Sequence, residues 1–87
     1  MYTLAIEQRV YKDLDRIPFP DAEKIYERIL SLEQNPRPWG IKKLEGSKDR
    51  YRIRQGDYRI VYTIDDKARL VSIILVRHRK DVYRDRA

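Results

Sequence analysis

No cysteine occurs among the 87 residues, which excludes disulfides and thiolate metal sites. A single histidine, His78, leaves no pair of imidazoles to divide acid and base roles between them. The carboxylates are scattered among basic neighbours and form no ligand cluster, so neither a metal nor any other cofactor is expected. No apolar run approaches the roughly 18 to 20 residues needed to span a bilayer. The segment Met1 to Glu7 lacks the basic and apolar regions of a signal peptide. These absences predict a protein that stays in the cytoplasm and has no membrane partner. Repeats, heptads and low-complexity tracts are also missing, and residues 1–87 are expected to form one domain.

What is present is charge. Charged residues make up 39% of the chain and hydrophobic ones 41%, with a mean hydropathy of −0.79, which suits a small core beneath a densely charged surface. Net charge is +6, and its distribution is uneven. Residues 1–36 hold five Lys/Arg against seven Asp/Glu, net −2, whereas residues 37–87 hold fifteen against seven, net +8. A basic surface of this kind attracts polyanions and speeds their encounter, without separating nucleic acid from an acidic protein.

Periodicity gives the order of elements. Tyr2, Leu4 and Ile6 alternate with Thr3, Ala5 and Glu7, predicting a strand at or near a sheet edge. Val10, Leu14 and Ile17 are at helical spacing over Gln8 to Ile17, and Pro18 and Pro20 end that helix. Asp21 suits a helix start, and Ala22, Ile25, Ile29 and Leu32 with Tyr26 form one stripe to about Gln34. The segment from Arg37 to Lys48 reads as a loop, with Trp39, Ile41 and Leu44 as anchors to the core and a base-stacking platform as the alternative for Trp39. Three strand-like runs follow, Tyr51 to Arg54, Tyr58 to Ile64 and Leu70 to Val76, making an antiparallel meander. The last, Leu-Val-Ser-Ile-Ile-Leu-Val, is apolar on both faces, as a central strand would be. The expected class is α+β: an N-terminal strand, a two-helix hairpin and three antiparallel strands, giving a four-stranded sheet with helices on one face.

Strand alternation then sorts side chains by face. Tyr51, Ile53, Tyr58, Ile60, Tyr62 and Ile64 point to the helices, while Arg50, Arg52, Arg54 and Arg59 point away. Guanidinium is planar, permanently charged and able to bind phosphate through two parallel hydrogen bonds. A nucleic-acid backbone is therefore the first ligand to consider. Solvated strand arginines paired with Asp49, Asp57 or Asp65 are the simpler alternative.

The element order, with Lys43-Leu44-Glu45-Gly46-Ser47, Tyr51-Arg52-Ile53-Arg54, Gly56-Asp57-Tyr58-Arg59-Ile60-Val61-Tyr62 and His78-Arg79-Lys80-Asp81-Val82-Tyr83, resembles the RelE/ParE superfamily of toxins, and most closely its RelE branch. The resemblance covers essentially the whole chain. It implies the toxin of a type II toxin-antitoxin system: an endoribonuclease, or mRNA interferase, that enters the A site of the 30S ribosomal subunit and cuts the mRNA there. A cognate antitoxin would wrap and block it in a hetero-oligomer. The resemblance also implies basic residues at Arg52 and Arg54, arginines at Arg59 and Arg79, and a near-terminal tyrosine at Tyr83. Well-known members carry lysine at the first two positions and glycine at Arg77. Arginine does not act as a base, which narrows Arg52 and Arg54 to phosphate binding and charge stabilisation.

RNA cleavage without a metal needs an activated 2′-hydroxyl, stabilisation of a charged phosphorane and a proton for the leaving 5′-oxygen. With one histidine, charge stabilisation must carry a large share. The expected catalytic residues are Arg59, Arg79 and Tyr83, the last as acid-base group with its phenol pKa lowered by nearby cations. Arg52 and Arg54, with Lys43, Lys48, Arg77, His78 and Lys80, are the expected phosphate contacts. Tyr83 covering the core edge is the alternative for that residue. Two other functions stay open: a ParE-like inhibitor of DNA gyrase without nuclease activity, and a degenerate toxin that only binds its antitoxin.

Overall fold

The computed structural model of the protein describes residues 1–46 and 49–81. Strand β1 (Thr3–Ile6) leads into helices α1 (Gln8–Asp15) and α2 (Phe19–Ser31), followed by strands β2 (Lys42–Lys43), β3 (Arg50–Gln55), β4 (Tyr58–Asp65) and β5 (Leu70–His78) and a 3-10 turn at Arg79–Asp81. The sheet order is β1-β5-β4-β3-β2, with β1 parallel to β5 and every other pair antiparallel. The expected meander and edge position of β1 are present. A fifth, two-residue strand, β2, extends the expected four, drawn from a segment whose prolines and glycines read as loop.

Local chemistry accounts for the boundaries. Pro18 stands just ahead of α2 and Pro20 falls in its first turn, where a missing N–H costs nothing, so the same prolines that end α1 start α2. The N–H groups of Asp21 and Ala22 donate to the Pro18 carbonyl, and Asp21 places negative charge at the positive end of the helix. The β3–β4 hairpin turns on Gly56 and Asp57, with Gly56 at φ +61°. Positive φ at the first of two loop residues is the type II′ geometry that matches strand twist and favours glycine.

The core lies between the helices and one sheet face. Val10, Ile25, Ile29 and Leu32 pack against Ile53, Ile60, Tyr62, Ile64, Val71, Ile73 and Val76. Tyr62 is fully buried, and its hydroxyl donates to the Pro36 carbonyl at 2.8 Å, which satisfies the phenol and ties the following loop to the core. Strand β5 carries one extra residue: Val61 pairs with Leu75, and the next residue, Tyr62, pairs with Ile73. Ile74 is thus a bulge. It lets Ile73 and Val76 face the helices while Ile74 and Leu75 both join Val61 and Leu44 in a second apolar cluster on the opposite face. This accounts for a strand that is apolar on both sides.

Beyond β1, helix α1 closes the flank of β5. The Arg9 guanidinium donates to the Ile74 carbonyl at 2.9 Å, and the Asp13 carboxylate accepts the Val76 N–H at 3.1 Å. A second clamp joins distant loops: Asp66 accepts two bonds from Arg37, at 3.0 and 2.9 Å, and one from the Tyr2 hydroxyl at 2.7 Å. Arg37, and then Tyr2, hold the Asp66 carboxyl down at about 2. A folded pKa below the unfolded one contributes stability above the unfolded value, near 3.8, that is lost as pH falls through about 2. Urea denaturation midpoints measured across that window should fall less steeply in Asp66→Asn than in the unaltered protein.

Candidate functional site

Register builds the site. Arg54 of β3 lies directly opposite Arg59 of β4, and Arg59 directly opposite Arg77 of β5, so three adjacent strands place three arginines in one row on the face away from the helices. Arg52, two residues along β3, adjoins the row and lies opposite Val61. Like charges directly opposed across strands cost stability, so the core and the ladder hold this row against its own repulsion. Burial lowers the Arg52 guanidinium below its usual pKa, and the charges of Arg59 and Arg54 push the same way. The group stays cationic, because arginine does not deprotonate in proteins.

The row is unevenly neutralised. Arg77 reaches round to Asp13 at 2.7 Å, with both side chains largely buried. Arg79 donates its backbone N–H to the Asp57 carbonyl at 2.8 Å, and its exposed guanidinium lies 3.6 Å from the Asp57 carboxylate. That places Arg79 beside the β3–β4 turn, at the end of the sheet that carries the row. No carboxylate among the described residues pairs with Arg52, Arg54 or Arg59. The Nε of Arg59 is buried without a hydrogen-bond partner there. Beside these cations Val61, Ile74, Leu75 and Leu44 form an apolar floor that excludes water and strengthens charge interactions above it. Such a surface can bind a phosphodiester and hold negative charge that develops on it.

The model for the ParE toxin of the type II toxin-antitoxin system parDE matches residues 4–83. The chain belongs to this toxin family. Among relatives, the toxin RelE of Mycobacterium tuberculosis is 34% identical over 84 residues, covering 95% of this chain and 87% of its own. The mRNA interferase toxin RelE of Escherichia coli is 30% identical over 86 residues, covering 94% and 90%. Among solved structures, the archaeal RelE-RelB complex from Pyrococcus horikoshii OT3 superimposes with a TM-score of 0.79 at 32% identity, covering 90% of this chain and 94% of that one. The isolated E. coli RelE toxin gives 0.74 at 25% identity, covering 97% and 98%. None of the toxin's described helices is long and apolar enough to cross a membrane.

Not every expected site residue of the toxin joins the row. Lys43 pairs in register with Tyr51, on the helix side, and it is Lys42 that lies opposite Arg52. His78 also faces the helix side, where its ring meets Tyr58 edge-on at 5.1 Å and its Nδ1 accepts the Lys80 N–H at 3.1 Å. Lys80 is exposed in the 3-10 turn beside Arg79. Lys48 and Tyr83 lie outside the described residues. Trp39, expected as a core anchor, is 96% exposed, because the anchoring is done by its neighbours Pro36 and Ile41. Sequence reasoning missed Lys42 because two consecutive lysines give no alternation from which to choose a face.

Repulsion along the row has a measurable signature. Removing one charge at an exposed member, Arg54→Gln, should raise the thermal midpoint by about 1 to 5 °C in low-salt buffer, from a like-charge cost of about 0.2 to 1 kcal/mol. Calorimetry in about 1 M salt, where the Debye length is near 3 Å, should show the difference largely abolished. A lower midpoint for the variant at low salt would show that the row is not under charge strain.

Proposed function

We propose that this toxin is a ribosome-dependent, metal-independent mRNA endonuclease that acts in the cytoplasm by attack of a 2′-hydroxyl within the ribosomal A site. The observation that carries the reading is the cross-strand row Arg54-Arg59-Arg77 with Arg52 beside it, three of whose members lack an acidic partner among the described residues. A row of guanidinium groups left unneutralised at a cost in stability suits a ligand that brings several negative charges. Relatives named RelE, one of them an mRNA interferase of E. coli, support the choice of RNA.

In this reading Arg52 and Arg54 grip the scissile phosphate and its neighbour, while Arg59 and Arg79 stabilise the phosphorane. The substrate's 2′-oxygen forms a bond to phosphorus, the bond from phosphorus to the 5′-oxygen breaks, and a 2′,3′-cyclic phosphate remains. The 2′-hydroxyl gives up its proton and the leaving 5′-oxygen receives one, with Tyr83 as the acid-base group. Arg77, held by Asp13, keeps the end of β5 in place and adds to the field. The partner is a cognate antitoxin, as RelB is for the P. horikoshii toxin, and an acidic segment of it laid over the row would neutralise the toxin.

Primer extension on messages after controlled expression should show cuts at fixed positions within codons. Arg59→Ala and Arg79→Ala should each reduce cutting by roughly 100-fold to 1,000-fold, the usual loss when one preorganised donor to a developing oxyanion is removed, with unchanged circular dichroism. Intact messages accompanied by a DNA-damage response would replace this reading with inhibition of gyrase.

A further inference from the structure

An exposed tryptophan is ordinarily explained by a mobile loop, and that explanation fails for Trp39. Hydrogen bonds tie the loop down on both sides of it. The Asn35 side chain accepts the Arg37 N–H at 3.1 Å, the Pro36 carbonyl accepts the buried Tyr62 hydroxyl, and Arg37 is held in two-pronged contact with Asp66. The Ile41 N–H then donates to the Pro38 carbonyl at 3.2 Å, closing a four-residue turn with Trp39 and Gly40 at its centre. Gly40 has φ +91° and Trp39 does not have positive φ, so the turn is type II, with the glycine where that geometry requires one. Ile41 packs into the core. Trp39 stands at the tip of a rigid turn with 96% of its surface open to solvent.

Its surroundings select a ligand. Three residues on, and so at most about 11 Å along the chain, Lys42 lies opposite Arg52 across the β2–β3 ladder. The turn that carries Trp39 therefore leads directly into β2, the edge strand through which Lys42 adjoins the arginine face. Phe19, the other strongly exposed ring among the described residues, lies instead in a groove with Asp15 and Glu23, whose charge repels a polyanion. An aromatic plane beside a cationic track is the arrangement that binds single-stranded nucleic acid, with phosphates on the cations and a base on the ring.

We propose that Trp39 is a stacking platform for an unpaired RNA base whose adjoining phosphates lie on Lys42 and Arg52. The inference rests on RNA being the ligand of the arginine face, and it adds a base contact to what is otherwise phosphate recognition. The base belongs to the message or to ribosomal RNA, two sources with the same chemistry.

Because Trp39 is the chain's one tryptophan, its fluorescence reports the contact directly. The toxin is titrated with a 2′-O-methyl RNA hexamer, which cannot be cut by 2′-hydroxyl attack, with an abasic hexamer of equal phosphate number, and with message-programmed ribosomes. Base-bearing hexamer should quench the emission saturably and the abasic strand should not, while binding to ribosomes is read by co-sedimentation. Trp39→Ala should weaken binding by about fivefold to a hundredfold without changing its dependence on salt, and Trp39→Phe should restore part of the loss. A defect with free hexamer and ribosomes alike assigns the base to the message, and a defect with ribosomes alone assigns it to ribosomal RNA. Trp39→Ala binding both ligands as tightly as the unaltered toxin would overturn the proposal, and so would emission that responds only to the antitoxin. Cutting that depends on Arg59 but is indifferent to Trp39 removes the platform and leaves the nuclease. Quenching by RNA without any cutting does the reverse.

Discussion

One extra residue in β5 decides which side chains meet on the arginine face. Strand side chains alternate, so inserting Ile74 reverses the facing of everything after it. Without the bulge, the register of Tyr62 with Ile73 would continue, setting Val76 opposite Arg59 and turning Arg77 toward the helices opposite Tyr58. With it, three arginines align across three strands, and the imidazole is placed against Tyr58 on the far side. The bulge is itself held by α1, through Arg9 on the Ile74 carbonyl and Asp13 on the Val76 N–H. Asp13 also grips Arg77, so one carboxylate fixes both the strand's irregularity and the side chain that the irregularity redirects.

The sheet's two faces are under opposite demands. On the helix side, burial of Ile29, Ile53, Ile60 and Ile73 supplies stability, each such side chain contributing about 1.5 to 3 kcal/mol relative to exposure. On the other side, opposed arginines spend part of that stability. The apolar cluster of Val61, Ile74 and Leu75 raises the cost of the charges next to it and also strengthens their hold on an anion, since both effects follow from the same lowered dielectric. Tension of this sort is typical of functional sites, where local rules are broken and the rest of the fold compensates.

Much of this was legible in the chain. Alternation over β3 and β4 identified the arginine face and the core face, because a two-residue turn at Gly56 and Asp57 keeps the two strands in step. The helices followed from their spacing and prolines. Three features were not legible. The facing of Arg77 and His78 depends on a bulge, and four successive apolar residues, Ile73 to Val76, do not reveal which of them is the extra one. Strand β2 is too short for a period, so Lys42 and Lys43 could not be told apart. Trp39 read as core because large aromatics usually are, and only the tertiary bonds of Pro36, Arg37 and Ile41 show that the loop is anchored on either side of it.

The shortness of the outer strands has its own consequence. One rim of the sheet is the four-residue β1, continued by α1, and the other is two lysines. Long, flat, uncharged rims are where sheets of separate molecules zip together into aggregates, and brief or lysine-bearing ones resist it. Rims this short offer little template for strand exchange, while the arginine face stays open for ligand.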